Sequence, residues 1–386
     1  TFTTGGSWET TLDTDTAGLK TRFVTFADNV IRFNGTDDLL AWNGGGTWST
    51  AGNPINVDDM SGTPTAYGAV YKGRVYTTGN STVPDRLFYS SVVSSSGNIT
   101  WSPGTSWVDI NPNDGENITA LYNYSLELLI FKPNFIYRFR TSGVAPDPLI
   151  RVGTRSQESI VEGKKGLYFH HDTGFYKYTG GYPKEISRPI SDFIDAISLA
   201  NYDDVAGWKD NDHIYWSVGD LTVDGTSYTN VVLRYTESSE IWTIYQYAQE
   251  LQIGANFDNG TTLFRVVGDD NGYVHKLNVG NTDAGTAIFH SFETKWYDFG
   301  MVANRKMFTD IIPQCEKAQG IKLYYQTDDS DTWHSFGQIE KFRTRFNKKS
   351  VKFHRIRFKI TGVSNQEPSI FQRFEILDLK SEGIVD

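Results

Sequence analysis

Apolar and polar residues alternate in short runs along most of this chain. The runs fall into hairpins at residues 24–33, 68–76, 120–139, 166–178, 205–245 and 254–277. Each run is rich in Tyr, Phe, Val, Ile and Trp and is bounded by Gly, Asn or Asp, as at Asn34-Gly35, Asn43-Gly44 and Asn271-Gly272. Period-two alternation between turn residues of this kind predicts short strands joined by tight hairpins. From the first hairpin turn at Asp28 to the sixth at Asn259 the mean step is about 46 residues. A tag also repeats: Gly5-Gly6-Ser7-Trp8-Glu9-Thr10 returns 40 residues later as Gly45-Gly46-Thr47-Trp48-Ser49-Thr50. A β unit at this period is the signature of a propeller, in which each unit is one blade.

The period stops near residue 300. Residues 308–312, 321–325, 352–360 and 370–379 read as strands of another kind, and residues 326–336 as a hairpin. The fold expected is therefore all-β: a β-propeller of about six blades over residues 1–290, then a small antiparallel β-sandwich over residues 291–386. Helical spacing occurs in one place, at Ile190, Phe193, Ile194 and Ile197, and predicts a helix over 190–199 between the fourth and fifth blades. Because the tag follows its hairpin at residues 45–50, its first copy reads as the outer strand of a blade other than the next one. On that reading residues 1–12 complete the last blade, or the native protein begins before Thr1.

Charge divides the chain. Residues 301–386 hold 15 Lys and Arg against 11 Asp and Glu, net +4; the first 300 hold 36 − 15 = 21 against 46 − 11 = 35, net −14. An acidic propeller does not bind nucleic acid by charge. The single cysteine, Cys315, rules out an internal disulfide framework. No apolar run of membrane length is present.

Motifs that carry chemistry are sparse. His170 and His171 are adjacent on a predicted strand, so their side chains face opposite ways, and the other five histidines are scattered. Asp13-Thr14-Asp15-Thr16-Ala17-Gly18 opens like a calcium loop but places Val24 where an acidic twelfth ligand belongs. The doublets Asp37-Asp38, Asp58-Asp59, Asp203-Asp204 and Asp269-Asp270 fall in predicted turns. Residues 327–333 approach the Asp-box hairpin of sialidases, Ser-x-Asp-x-Gly-x-Thr-Trp. They carry Asp331 in place of Gly, are one residue short and occur once, outside the blades. No nucleophile elbow or phosphate loop is found, so no catalytic residue, cofactor or metal is expected. One charge feature is concentrated: Lys341, Arg343, Arg345, Lys352, Arg355, Arg357 and Lys359 form the candidate assembly surface. Along residues 355–360 cationic and apolar residues alternate, which gives one cationic face and one inward face. The alternatives are a solvated sheet face, a docking surface for an acidic partner, and nucleic-acid binding.

Several stretches resemble the β-propeller tail proteins of tailed bacteriophages, of the tubular tail or nozzle type. They are Tyr89-Ser90-Ser91, Trp101, Trp107 to Ile110, Asp114 to Leu121, Leu129 to Arg138, Tyr176 to Ile190, and His354 to Ile360. The resemblance covers most of the chain and is structural in kind. It implies a non-enzymatic virion protein, assembled in the host cytoplasm, whose copies (six in the nozzle arrangement) ring the tail axis. Its partners would be itself and other tail proteins, with DNA present only in transit. Two rivals stand beside it. A sialidase-like propeller glycosidase needs carboxylates and arginines converging at the propeller mouth. A carbohydrate- or receptor-binding module would stack sugars on Trp101, Trp107, Trp242 or Trp333.

Overall fold

The computed structural model describes residues 16, 18–44, 55–95, 97–140, 147–258, 260–317, 320–364 and 370–381. It divides into two compact units, residues 1–277 and 278–386.

The first unit is a succession of six antiparallel sheets taken in chain order. The first comprises strands Arg22–Phe26, Asn29–Phe33 and Leu40–Trp42. The next four are four-stranded meanders spanning residues 67–109, 120–150, 161–185 and 206–246. The sixth has three strands, Leu251–Asp258, Leu263–Asp269 and Val274–Lys276.

Alternation along each strand explains how the sheets stack. In the third sheet Leu128 and Ile130 pack with Tyr71, Tyr76 and Leu87 of the second. Leu129 and Phe131, on the opposite face, pack with Leu167, Phe169 and Tyr178 of the fourth. The fourth sheet repeats the device, turning Tyr168 and Phe175 onto Ile214, Trp216 and Leu233 of the fifth. Trp208 and Tyr215 of the fifth then meet Leu251 and Val267 of the sixth. Face-to-face packing of consecutive meanders is propeller architecture. The leading strands lie innermost and touch: Tyr67–Tyr71 contacts both Arg22–Phe26 and Ala120–Tyr124, and Ala206–Asp210 contacts both Val161–Glu162 and Leu251–Asp258.

Backbone approach between blades is close enough to require glycine. A Cβ on Gly207 would lie 2.6 Å from Val161, and one on Gly254 would lie 2.5 Å from Trp208. One buried cation also ties two blades. Lys132 Nζ, wholly buried in the third sheet, lies 2.8 Å from Asp85 of the second and 2.8 Å from Asp114.

The second unit is a sandwich. One sheet has the order Thr282–Asp283, Thr286–Glu293, Ile356–Ser364, Lys322–Thr327, His334–Gln338. The other is built on Lys306–Glu316, flanked by Phe346–Phe353 and Ile370–Leu377, with Lys380–Ser381 pairing at one end. Phe308, Leu323, Phe336, Phe353, Phe358 and their neighbours fill the space between.

Three expectations are refined. The boundary lies before residue 290, because Thr286–Glu293 pairs with Ile356–Ser364 of the sandwich. The single strand expected over 352–360 is two, since the chain turns at His354-Arg355 and passes from one sheet to the other. The helix between the fourth and fifth sheets is one short turn, Ser191–Asp195, between 3-10 turns Arg188–Ile190 and Leu199–Asn201. Ile194 and Ile197 still face the core, so the apolar spacing reported burial rather than helix length. Residues 1–12, the second tag over 45–50 and most of the calcium-like loop lie outside the described residues.

Candidate functional site

The leads into the first five sheets converge on a polar cavity of about 590 Å³. Arg22 comes from the first sheet and Tyr67 from the second; Glu116 and Asn117 precede the third, Arg155 the fourth and Asp203 the fifth. These are the innermost strand starts, so the cavity occupies the propeller mouth.

With Lys20 and Glu158 also in its wall, the lining carries three cations and three carboxylates. Arg22 donates Nε to Glu158 at 2.6 Å and lies 4.6 Å over the Tyr67 ring. Arg155 forms a fork with Asp172, Nε and Nη2 each 2.8 Å from a carboxylate oxygen, and this holds the guanidinium firmly protonated. Lys20 reaches Asp204 at 2.7 Å and the Asp203 carbonyl at 2.7 Å. The Lys20 and Arg22 contacts carry the first sheet across to the leads of the fourth and fifth. Glu116 accepts from both the backbone and side-chain nitrogens of Asn134. Burial pushes the Tyr67 hydroxyl above its ordinary range.

None of these residues forms a local motif. They are scattered across residues 20–203 and meet because each begins a blade. Of the doublet Asp203-Asp204, Asp203 lines this wall and Asp204 holds Lys20 from outside it. The others serve turns: Asp37 accepts from Thr16 and Asn34, and Asp59 from the Trp101 amide. Asp269 accepts from His275 and two backbone amides.

The expected assembly surface is divided between the two sheets of the sandwich. Ile356, Phe358 and Ile360 are buried while Arg355 is exposed and Arg357 and Lys359 are half-buried, so the predicted alternation is present. Arg357 sits between two indoles, 4.9 Å from Trp296 and 5.0 Å from Trp333. Lys359 pairs with Glu293 at 2.9 Å and lies 5.3 Å from Trp333. In the other sheet's loop Arg343 meets Glu375 at 2.7 Å, and Arg345 meets Asp310 at 2.6 Å. Lys341 caps the loop through its backbone, with its amide to Thr344, and Lys352 is exposed on Phe346–Phe353. The face is thus a laced pattern of cations, carboxylates and rings.

The remaining candidates resolve as follows. Trp101 is buried, Trp242 packs on Phe175, Trp216 and Tyr235, and Trp107 lies under Arg86 at 3.5 Å. His170 and His171 are both buried and turn to opposite faces. At the sandwich hairpin Asp328, Asp329 and His354 each bring one ligand atom within 4.8 Å of the others. Asp328 there accepts the His354 amide, and Asp329 lies 3.7 Å from Arg305. Among the described residues no helix is long and apolar enough to cross a membrane.

No family model and no curated protein matches the chain. Among solved structures it is similar to the Neurospora crassa Pan2 WD40 domain, at 13% identity, with 69% of this chain and 76% of that one covered and a TM-score of 0.41. A structure described as a glycoside hydrolase is similar at 9% identity, covering 92% of this chain and 96% of that one, with a TM-score of 0.28. The extracellular domain of a hybrid two component system from B. thetaiotaomicron is similar at 9% identity, covering 87% and 46%, with a TM-score of 0.42. Values this low say nothing about chemistry; the propeller assignment rests on the sheet order and its packing.

Proposed function

We propose that this chain is a non-catalytic structural component of a bacteriophage tail, present as several copies around the tail axis. The observation that carries the assembly role is the strand Thr286–Glu293. It exposes Ile288 and Phe292 on one face and Phe289 on the other, at 43%, 59% and 65%, beside Val363 at 50%. Apolar side chains on both faces of one strand are a surface suited to another protein. The charge difference between propeller and C-terminal region favours contact between unlike surfaces of successive copies, the kind that closes into rings. The tail setting comes from the sequence resemblance.

The lack of catalysis is argued from the mouth. Glu158 is committed to Arg22 and Ser156, and Glu116 to Asn134. Carboxylates whose oxygens are occupied by neighbours in this way are poorly placed to attack a substrate. The assembly test is the double change Phe289→Ser and Phe292→Ser, followed by electron microscopy of tails. Loss of tails with a folded chain supports the role, and normal tails reject it. Glycoside hydrolysis abolished by Glu116→Gln or Glu158→Gln would overturn the non-catalytic reading.

A further inference from the structure

We infer that the propeller mouth is a binding site for a neutral saccharide. The inference does not depend on the tail reading. The cavity, about 590 Å³, has the size of a small-molecule site. Its polar groups are held in place from outside: Asp172, which grips Arg155, and Asp204, which grips Lys20, are not part of the wall. Preorganised groups of this kind spare a ligand the entropy of ordering them.

What each residue still offers sets the ligand's chemistry. Arg155 engages Asp172 through Nε and Nη2, so its Nη1 edge remains for a ligand. Arg22 engages Glu158 through Nε and the Lys20 carbonyl through Nη1, which leaves Nη2. The Tyr67 hydroxyl and the Asn117 amide add donors, and the Asn117 carbonyl and Asp203 carboxylate add acceptors. The described lining therefore offers both donors and acceptors, matching hydroxyls that both donate and accept. The cations already face carboxylates, and the three positive and three negative side chains of the described lining sum to no net charge. An anionic ligand would have to compete with Glu158, Asp172 and Asp204 for those cations. A neutral polyhydroxyl ligand uses only the remaining edges. Stacking on Tyr67 is restricted, since Arg22 covers one face and Gly79 lies close to the Cδ2–Cε2 edge of the ring. Affinity therefore rests on hydrogen bonds and is modest.

The experiment is titration of the full chain by calorimetry and ligand-observed NMR with neutral hexoses, N-acetylhexosamines, neutral disaccharides and hexuronic acids. At least one neutral sugar should bind with Kd in the range of roughly 0.1–10 mM. Asn117 and Asp203 are exposed and outside the cores. Asn117→Ala and Asp203→Ala should therefore keep the melting transition yet weaken binding on the order of tenfold each, the loss of one good hydrogen bond. Tyr67→Phe gives a third variant of almost unchanged shape. Three results each overturn the inference: no neutral sugar binds, a hexuronate binds more tightly than its neutral counterpart, or binding is indifferent to all three changes.

Discussion

The fourth and sixth sheets come from the same repeat and end in different environments. In strand Leu167–His171 every side chain is buried, two histidines included. In strand Leu251–Asp258 only Leu251 is buried, and Ile253 is 50% exposed. Both strands carry aromatic residues, though only Leu251–Asp258 alternates apolar with polar. The fourth sheet has the cores of the third and fifth against its two faces, whereas the described core of the sixth is shared with the fifth alone. Burial in this unit is thus conferred by the neighbouring blade, and the repeat supplies only the face that will be buried.

The largest effect expected from that contrast is on buried charge. Lys132→Ala removes the cation between Asp85 and Asp114 and should cost about 3–5 kcal/mol in urea unfolding. Lys276→Ala in the sixth sheet, where the ammonium lies 4.3 Å over Phe264 at the surface, should cost only about 0.5–1 kcal/mol. Equal costs would break the comparison.

Next is a pH effect set by a histidine buried in the fourth sheet. Burial drives His170 down to about 3, against 6.5 for an open histidine; Asp172 opposes the shift, while His171 and Arg155 add to it. The unfolded chain then takes up a proton that the folded chain refuses. Stability is full above about pH 6.5 and falls as pH drops toward 3, at up to ~1.4 kcal/mol per pH unit from this residue. His170→Phe keeps a ring beside Phe175 and Tyr202 and should flatten that slope. An unchanged slope in the variant shows that the acid sensitivity lies elsewhere.

A smaller effect separates the sixth sheet from the rest. Gly254→Ala crowds Trp208 and should cost about 1–3 kcal/mol. Hydrogen exchange should show protection lost over residues 251–276 and retained in the first five sheets. Uniform loss would mean that all six sheets unfold as one unit. Smallest is a gain common to any blade: Leu126, at a hairpin tip with φ 67° and 88% exposed, should stabilise the third sheet by about 0.5–1 kcal/mol when replaced by Gly. Calorimetric melting reads the sign.

Most of this fold was legible in the sequence, because strand alternation and turn chemistry are local. Val24, Ile31, Tyr76, Leu129 and Phe169 lie in the hairpin strands read from the sequence and pack into the cores. The split at His354-Arg355 did leave a local mark, a change of phase from Val351 and Phe353 inward to Ile356, Phe358 and Ile360 inward, but the charged alternation runs on over it and hid the break. The domain boundary was misplaced because the pattern of residues 286–293 does not say whether its partner is a blade or a sandwich strand. The mouth was illegible for a stronger reason. Arg22, Asn117, Arg155 and Asp203 share no motif and are brought together only by the packing of successive sheets. The legible signal was weaker, a polar or charged residue just before each leading strand. The cationic residues 341–359 were visible as a cluster, but their partners Glu293, Glu375 and Asp310 lie far off in sequence.

We propose that copies of this chain form an axial ring in a phage tail. The direct measurement is cryo-electron microscopy of purified tailed particles encoded with this chain, labelled with an antibody to its sandwich. Label is expected on a ring of propellers, six in the nozzle arrangement, coaxial with the tail. Particles that carry neither the label nor the chain by mass spectrometry would contradict it.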